Sequence, residues 1–311
     1  MYNLLMITSL ILQLSRGIWF IEPSAAEAYK PIVQAILRGE KIDLTALLPK
    51  SQTEKEYRDE EMKKNFMQFV CISNSAVSTW GDISKAPKGS VAVTPLKGVV
   101  MKNNYCGAPG TKTLTNWMQE ADQNSNIIGH LLHVDSPGGS ADGTMDFSES
   151  IKSLNKPVVC FSDGMMASAA YWAGSGCKHI MASNTLNQIG SIGTYLTLTD
   201  WSGADAQDGI KEVDVYATKS TEKNKEYRDA MEFIQSDGKA GSLDPIKKRI
   251  DVFNEAFLNG VSKNRYGKSL DKENTLKGQL HFTNEALQYG LIDSVGTFSD
   301  AINKVIQLTK N

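Results

Sequence analysis

Two short turns, each following an apolar stretch, are the parts of this sequence most able to carry chemistry. The first reads DSPGGS at residues 135–140 and comes directly after the apolar run 127–134. Glycines in such a turn let the backbone bend sharply and leave N–H groups pointing outward. Amides of this kind can hold the oxyanion formed in acyl transfer. A plain tight turn has the same composition, so the motif alone leaves both interpretations open.

The second turn reads DGMMASAAYW at residues 163–172 and follows the apolar run 158–161. Ser168 lies where a strand is expected to end and a helix to begin, close to helix N–H groups that have no intrahelical acceptor. The alanines around it permit close approach of a substrate. The position is analogous to a nucleophile elbow, although the GxSxG sequence is absent. A serine at a helix start can also be an ordinary N-cap, and that interpretation stays open here.

Strand and helix patterns alternate along the chain from about residue 88. Apolar runs predict strands at 90–96, 127–134, 157–161, 179–182 and 213–217. Helical patterns predict helices at 114–122, 145–154, 167–174, 245–260 and 284–289. Alternation of this kind is typical of parallel βαβ units. The sequence therefore predicts an α/β fold.

The first part of the chain differs in composition from the rest. Residues 1–85 are predicted to form a small N-terminal helical appendage with a linker, which leaves 86–311 as the main domain. A helix is expected at 24–39, followed by a polar stretch at 49–65. The apolar stretch 4–14 is too short to span a bilayer and has no preceding positive charge, so a signal peptide and a buried segment both stay open. No membrane span is expected elsewhere.

Composition argues against several function classes. The net charge is −2 and no long basic run occurs, which argues against a nucleic-acid partner. The four cysteines have no CxxC spacing, so neither a zinc site nor a disulfide framework is expected. Reduced, buried thiols in a cytoplasmic protein are the favoured interpretation.

Several ordered motifs together resemble the signal peptide peptidase A family and the related phage head-maturation proteases. They are SPGG at 136–139, ASAAYW at 167–172, QIGSIG at 188–193, GQLHFTNEA at 278–286 and GLIDSVG at 290–296. The resemblance covers about residues 90–305. It implies a Clp/crotonase-like fold of repeated ββα/βαβ units and peptide hydrolysis by a serine–lysine dyad. It implies no metal, nucleotide or organic cofactor.

The resemblance assigns roles to individual residues. Ser168 is the nucleophile, because it alone fills the serine position of the ASxxYW motif. Gly139, the second glycine of SPGG, supplies one main-chain oxyanion donor, and the amide of Ala169 supplies the second. The commoner family pattern has glycines after the serine, where this chain has Ala169 and Ala170. The family's membrane anchor is not recognised here, which favours a relative of the prophage capsid-maturation type.

The resemblance places the catalytic lysine in the segment ATKSTEKNKE at 217–226. Strict register puts Asn224 in its position, and a gap of one residue selects Lys223, which we prefer, or Lys225. A lysine base must be largely neutral near pH 7, so its pKa must fall by about 3, which corresponds to roughly 4 kcal/mol. Burial against apolar surface lowers a lysine pKa in this way. We therefore expect the base to be poorly solvated, in the chain or after subunits assemble.

Histidine is not expected to replace the lysine. The resemblance implies that this chain shares its fold with the Clp proteases, which use a catalytic histidine. No histidine occupies the matching position in this chain. His133 and His179 are interpreted as core or surface residues within strands.

These observations predict a self-associating serine endopeptidase that acts in phage head maturation or protein processing. Its extended polypeptide substrate is expected to bind along a strand edge, for which 96–101 is the candidate, with Met165 and Met166 near the pocket. Two alternatives stay open. One is a crotonase-type acyl-CoA enzyme, in which paired amides hold an enolate. The other is an inactive scaffolding protein that kept the fold.

Overall fold

The computed structural model describes residues 19–21, 62–63, 67–73, 76–80, 85–105, 108–207, 209–211 and 213–310. The strands among them are β1 (Trp19–Ile21), β2 (Gln68–Ser73), β3 (Ala76–Trp80), β4 (Ser90–Lys97), β5 (Ile127–Ser136), β6 (Gly138–Ser140), β7 (Val158–Ala167), β8 (His179–Ala182), β9 (Gln188–Gly190), β10 (Leu280–Phe282) and β11 (Ser294–Val295). The helices are α1 (Thr111–Gln123), α2 (Thr144–Ser153), α3 (Ala169–Ser175), α4 (Ser202–Gln207), α5 (Lys225–Gln235), α6 (Asp244–Asn264), α7 (Lys272–Thr275), α8 (Thr283–Gln288) and α9 (Phe298–Leu308). The predicted segments at 4–14 and 24–39 lie outside the described residues.

The main sheet has the strand order β10-β9-β7-β5-β4-β2-β3, with β8 beside β7 and β11 beside β8. Strands β4, β5 and β7 run parallel to one another, and β8 runs parallel to β7. Parallel strands need crossover connections, which α1 and α2 provide. The predicted α/β class is confirmed.

Helices cover both faces of the sheet, which is why β5 and β7 are near-continuous apolar runs rather than alternating ones. On one face, α9 packs against β4, β5 and β7 and buries Val305 among strand residues such as Leu131 and Val159. Cys160 is the next residue of β7 and points to the opposite face. There it lies beside α3, close to Gly174. The apolar strands therefore hold α3 against the sheet.

The division of the chain differs from the predicted boundary at residue 85. Strand β2 pairs antiparallel with β4, so residues 68–70 extend the main sheet instead of belonging to a helical appendage. Met67, directly before β2, and Phe69 and Val70 within it have buried side chains. The chain forms two compact units, of which one comprises Met1–Gly193 with Phe257–Asn311 and the other Thr194–Ala256.

The strand predicted at 213–217 is absent: the described residues 213–217 form no strand pairing. Val213 and Val215 are 74% and 90% exposed, so these alternating apolar side chains are not buried within the unit that contains them. A period-two pattern produces a strand only when another strand lies alongside. Among the helices that the structure describes, none combines the length and apolar composition required to cross a membrane.

Candidate active site

Ser168 lies at the junction of β7 and α3 in an unusual backbone conformation. Its φ and ψ are 54° and −120°, a combination that residues with a side chain rarely adopt. The backbone N–H of Ser168 donates to the carbonyl oxygen of Gly190 at 2.7 Å. Strained backbone at a strand-to-helix turn is the geometry of a nucleophile elbow, and such outliers cluster at functional sites.

The hydroxyl of Ser168 does not cap the helix. No side-chain capping bond forms at this helix start, which argues against the N-cap interpretation. The residue is 0% exposed, and Oγ has no hydrogen-bond partner among the described residues. An unpaired buried hydroxyl costs about 1–3 kcal/mol, so its presence needs a reason other than stability. Proton transfer from this oxygen during catalysis is such a reason.

Gly139 lies in β6, where its neighbours determine the direction of its amide. The N–H of Val100 donates to the oxygen of Gly138, and the N–H of Ser140 donates to the oxygen of Val100, both at 2.8 Å. Because backbone groups alternate in direction along a strand, the N–H of Gly139 points away from Val100. A Cβ at position 139 would lie 1.9 Å from the Val100 oxygen, so only glycine fits. The pairing also occupies part of the 96–101 edge predicted for substrate.

Ala169 is the first residue of α3, so its amide has no acceptor within the helix. Helix α3 packs against β6. The two amides predicted to receive the oxyanion therefore belong to contacting elements.

Met166 is fully buried, with its sulfur 3.4 Å from that of Cys160, so it is a core residue and not a pocket wall as predicted.

The motifs that are distant in sequence meet around this serine. Gly190 of the QIGSIG motif accepts from the Ser168 amide, and Ser191 donates its N–H to the oxygen of Gln279 at 2.7 Å. Strands β9 and β10 continue this contact as an antiparallel pair. The GQLHF segment therefore supports the turn that binds the backbone of Ser168.

The two aromatic residues of the ASAAYW motif anchor α3. The hydroxyl of Tyr171 donates to the oxygen of Leu291 at 2.8 Å, and burial raises the pKa of this phenol. Trp172 stacks on Phe257 with ring centroids 5.0 Å apart. Gly260 permits this stacking, because a Cβ there would lie 2.5 Å from the indole nitrogen of Trp172.

A buried ion pair that sequence reasoning missed fixes the GLIDSVG turn. Arg265 binds Asp293 through two 3.1 Å hydrogen bonds and also donates to the oxygen of Gly290. Burial by itself raises the pKa of Asp293, but the bonds from Arg265 and the backbone N–H of Ile180 hold it below its usual range. Arg265 lies near the end of a charged helix, and no local pattern distinguishes it from its exposed neighbours.

Both predicted lysines lie in the unit Thr194–Ala256, and both are exposed. Lys223 precedes Asn224, whose φ is 57°, in the turn before α5. The amine of Lys225 forms a 2.5 Å ion pair with Asp229, which raises the pKa of Lys225. The burial expected of a lysine base is absent in the single chain. The choice between the two lysines stays a prediction.

The histidines have structural partners. Nε2 of His133 lies 2.7 Å from Asp163, and Nε2 of His179 lies 2.7 Å from the hydroxyl of Ser294. Burial is the main cause that lowers the pKa of each imidazole. No group of three or more His, Cys, Asp or Glu residues in the described part of the chain is arranged to hold a metal ion.

The parallel sheet and the strained, buried serine at its strand-to-helix junction define an α/β protein with a candidate serine nucleophile. The chain belongs to peptidase family S49, whose family model matches residues 150–311. The matched region contains Ser168 and both candidate lysines. The predicted family is therefore confirmed.

Relatives of two kinds match the chain. It is 28% identical to Protease 4 of Haemophilus influenzae over 64% of this chain and 31% of that protein. It is 23% identical to Capsid assembly protease C of Escherichia phage lambda over 68% of this chain and 48% of that protein. The chain thus spans about a third to a half of these relatives. Among solved structures, a mutant of the 1510-N membrane-bound stomatin-specific protease aligns over 70% of this chain and 84% of its own, at 16% identity and a TM-score of 0.43.

Proposed function

We propose that this protein is a serine endopeptidase that hydrolyses peptide bonds through an acyl-enzyme on Ser168. The observation that carries the proposal is the buried, unpartnered hydroxyl of Ser168 on a strained backbone. Membership of peptidase family S49 supports it. A structural serine would be expected to cap α3 or to bond to a neighbour, and this one does neither.

The reaction follows from the groups around the serine. A neutral lysine accepts the hydroxyl proton while Oγ attacks the substrate carbonyl. The amides of Gly139 and Ala169 receive the negative charge that develops on the carbonyl oxygen. The lysine then protonates the departing amine. The same lysine deprotonates a water molecule that attacks the acyl-serine, and it returns this proton to Oγ as the bond between the acyl group and Oγ breaks. No cofactor takes part in this scheme.

We propose Lys223 as the base in preference to Lys225. The ion pair with Asp229 keeps Lys225 protonated, and an ammonium group cannot accept a proton. Lys223 is exposed in the single chain, so the proposal requires that assembly or substrate removes water from it.

Self-association into a homo-oligomer is part of the proposal. Among the described residues of the unit Thr194–Ala256, four apolar side chains are more than half exposed, namely Ile210, Val213, Val215 and Val252. Apolar surface of this kind is typical of surfaces that another chain covers. The same covering would desolvate the neighbouring lysine segment.

The proposed substrate is an extended polypeptide, cut in the cytoplasm during particle maturation or protein processing. Support for particle maturation comes from the similarity to a capsid assembly protease of phage lambda. Protease 4, the other relative, supports general protein processing. Both names describe those proteins. Identification of the polypeptide that this chain cleaves would decide between particle maturation and general protein processing.

Cleavage of unfolded casein by the full chain tests the function. We expect wild type to cleave it, Ser168→Ala to be inactive, and Lys223→Ala to lose roughly 100-fold or more in rate, the usual contribution of a general base. Covalent labelling by a fluorophosphonate should require Ser168. A chain that neither cleaves nor labels would be the inactive scaffold, and acyl-CoA turnover unaffected by Ser168→Ala would indicate the crotonase-type enzyme.

A further inference from the structure

The edge of β6 that faces away from Val100 is occupied by β1. Strand β1 pairs antiparallel with β6, so that Trp19 lies opposite Ser140, Phe20 opposite Gly139 and Ile21 opposite Gly138. A segment from near the start of the sequence therefore adds a strand beside the SPGG turn.

The register places the backbone of Phe20 against the amide assigned to the oxyanion. Val100 donates its N–H to the carbonyl oxygen of Gly138, and its own carbonyl oxygen accepts from the N–H of Ser140. The N–H and carbonyl of Gly139 consequently point to the other edge, and β1 runs along that edge. The donor that would receive the charge of the reaction thus faces the protein's own N-terminal segment.

Substrate and β1 need the same backbone groups. Extended peptides commonly bind by adding a strand to a sheet edge, where main-chain hydrogen bonds supply the affinity. A peptide whose reacting carbonyl reaches the Gly139 amide has to approach from the edge that β1 occupies. One strand edge accommodates one strand at a time, so the two are mutually exclusive.

The burial of the site agrees with an occupied edge. Ser168 is 0% exposed, and all three residues of β6 are buried. A polypeptide cannot meet a serine that solvent does not reach until part of the chain moves away. Strand β1 is only three residues long, so few backbone bonds hold it in position.

We propose that Trp19–Ile21 occupies the position of the peptide substrate and acts as an intramolecular competitive inhibitor. The inference rests on the proposed peptidase function. A competing segment reduces the fraction of molecules able to bind substrate, and the apparent affinity for substrate falls by the same fraction. KM is therefore raised, while kcat at saturation is unchanged.

A reversible cross-link in the full chain tests this position. Because Phe20 and Gly139 form a hydrogen-bonded pair, Trp19 and Ser140 form a non-hydrogen-bonded pair, whose Cα atoms lie about 4.5 Å apart in an antiparallel ladder. That separation is within the range of a disulfide. The double variant Trp19→Cys/Ser140→Cys is oxidised, checked for the cross-link on a non-reducing gel and by intact mass, and assayed with fluorescent casein before and after reduction.

Cross-link formation and loss of cleavage are expected together. We expect casein cleavage to fall at least ~10-fold on oxidation, as when a competing state is strongly populated, and to return on reduction. Wild type and each single cysteine variant, treated with the same oxidant, should keep their activity. In a second variant, Phe20→Pro removes the N–H that faces Gly139 and should lower KM without changing kcat, whereas Phe20→Ala keeps this N–H and should change KM less.

Two results would overturn the inference: absence of the cross-link after oxidation, or a cross-linked protein that cleaves as fast as the reduced one. Failure of the proposed function gives a different pattern. In that case the cross-link forms, but reduced double variant, wild type and Ser168→Ala are equally inactive, and the inhibitory role fails together with the peptidase assignment while the pairing of β1 with β6 stands.

Discussion

The backbone N–H of Ser168 donates a 2.7 Å hydrogen bond to the carbonyl oxygen of Gly190, and this bond links the proposed nucleophile to a turn that is itself strained. Gly190 has a φ of 117°, and the following residue, Ser191, has a φ of 51°. Strain of this kind persists only where surrounding structure enforces it. Here the enforcing contact is the bond from Ser191 to Gln279, which joins the turn to β10.

Relief of this strain should stabilise the protein and abolish its activity. Ser168→Gly removes the unpaired hydroxyl and tolerates the positive φ, so we expect the free energy of unfolding to rise by about 1–2 kcal/mol, after allowance for the greater backbone entropy of glycine. Ser168→Ala removes the hydroxyl but keeps the backbone strain, so it should raise the free energy of unfolding by less than Ser168→Gly does. Urea unfolding of the three proteins measures the difference. A glycine variant less stable than the alanine variant would contradict the account.

A methyl group at position 139 should disrupt the pairing of β6. In Gly139→Ala the Cβ would lie 1.9 Å from the Val100 oxygen, so β6 must shift and move with it the amide proposed to receive the oxyanion. We expect a loss of about 2 kcal/mol in unfolding free energy, as for overpacked sites, and loss of casein cleavage. Gly203→Ala is the matched control, because an added Cβ there meets nothing within 4 Å. Equal behaviour of the two variants in thermal unfolding would reject the steric argument.

Asp293 should make stability depend on acid pH. The pKa of Asp293 is lowered in the folded state. Its contribution to the free energy of unfolding is therefore fully present above the ordinary aspartate pKa, near 4, and is lost as the pH falls through the lowered pKa. Asp293→Asn leaves Arg265 buried without its anion, which should cost about 3 kcal/mol at pH 7. Urea unfolding from pH 7 to pH 3 checks this. The difference between variant and wild type should shrink toward pH 3, and a constant difference would be inconsistent with the pKa shift.

The parts of the site that the sequence predicts are those that depend on local backbone. Ser168 and Gly139 are predicted in short turns that follow apolar strands. The structure places Ser168 at a strand-to-helix junction, as predicted, and Gly139 in the short strand β6 directly after β5. The prediction of a strand at 213–217 is wrong, because a strand forms only where a second strand, distant along the chain, lies beside it. The pairing of β2 with β4 is likewise not visible in the residues of β2, because it depends on a strand that is distant along the chain.

Electrostatic properties were the least accessible from sequence. The burial of Arg265 with Asp293 depends on packing between segments that are distant along the chain. The pKa of a lysine depends on its surroundings in the folded and assembled protein, which spacing does not encode. The family resemblance narrowed the base to two lysines, and the pKa of Lys225 is raised by a residue one helical turn away.

That ion pair offers a means of choosing between Lys223 and Lys225. Asp229→Asn removes the carboxylate that raises the pKa of Lys225, so the pKa of this amine should fall toward its ordinary value. Activity that requires a neutral lysine rises with pH through the pKa of that lysine. If Lys223 is the base, the pH profile of kcat/KM for casein should be the same in Asp229→Asn and wild type, and Lys225→Ala should stay within about 3-fold of wild type, far from the roughly 100-fold loss expected for a missing base. A profile that moves to lower pH in Asp229→Asn, together with an inactive Lys225→Ala, would assign the role to Lys225.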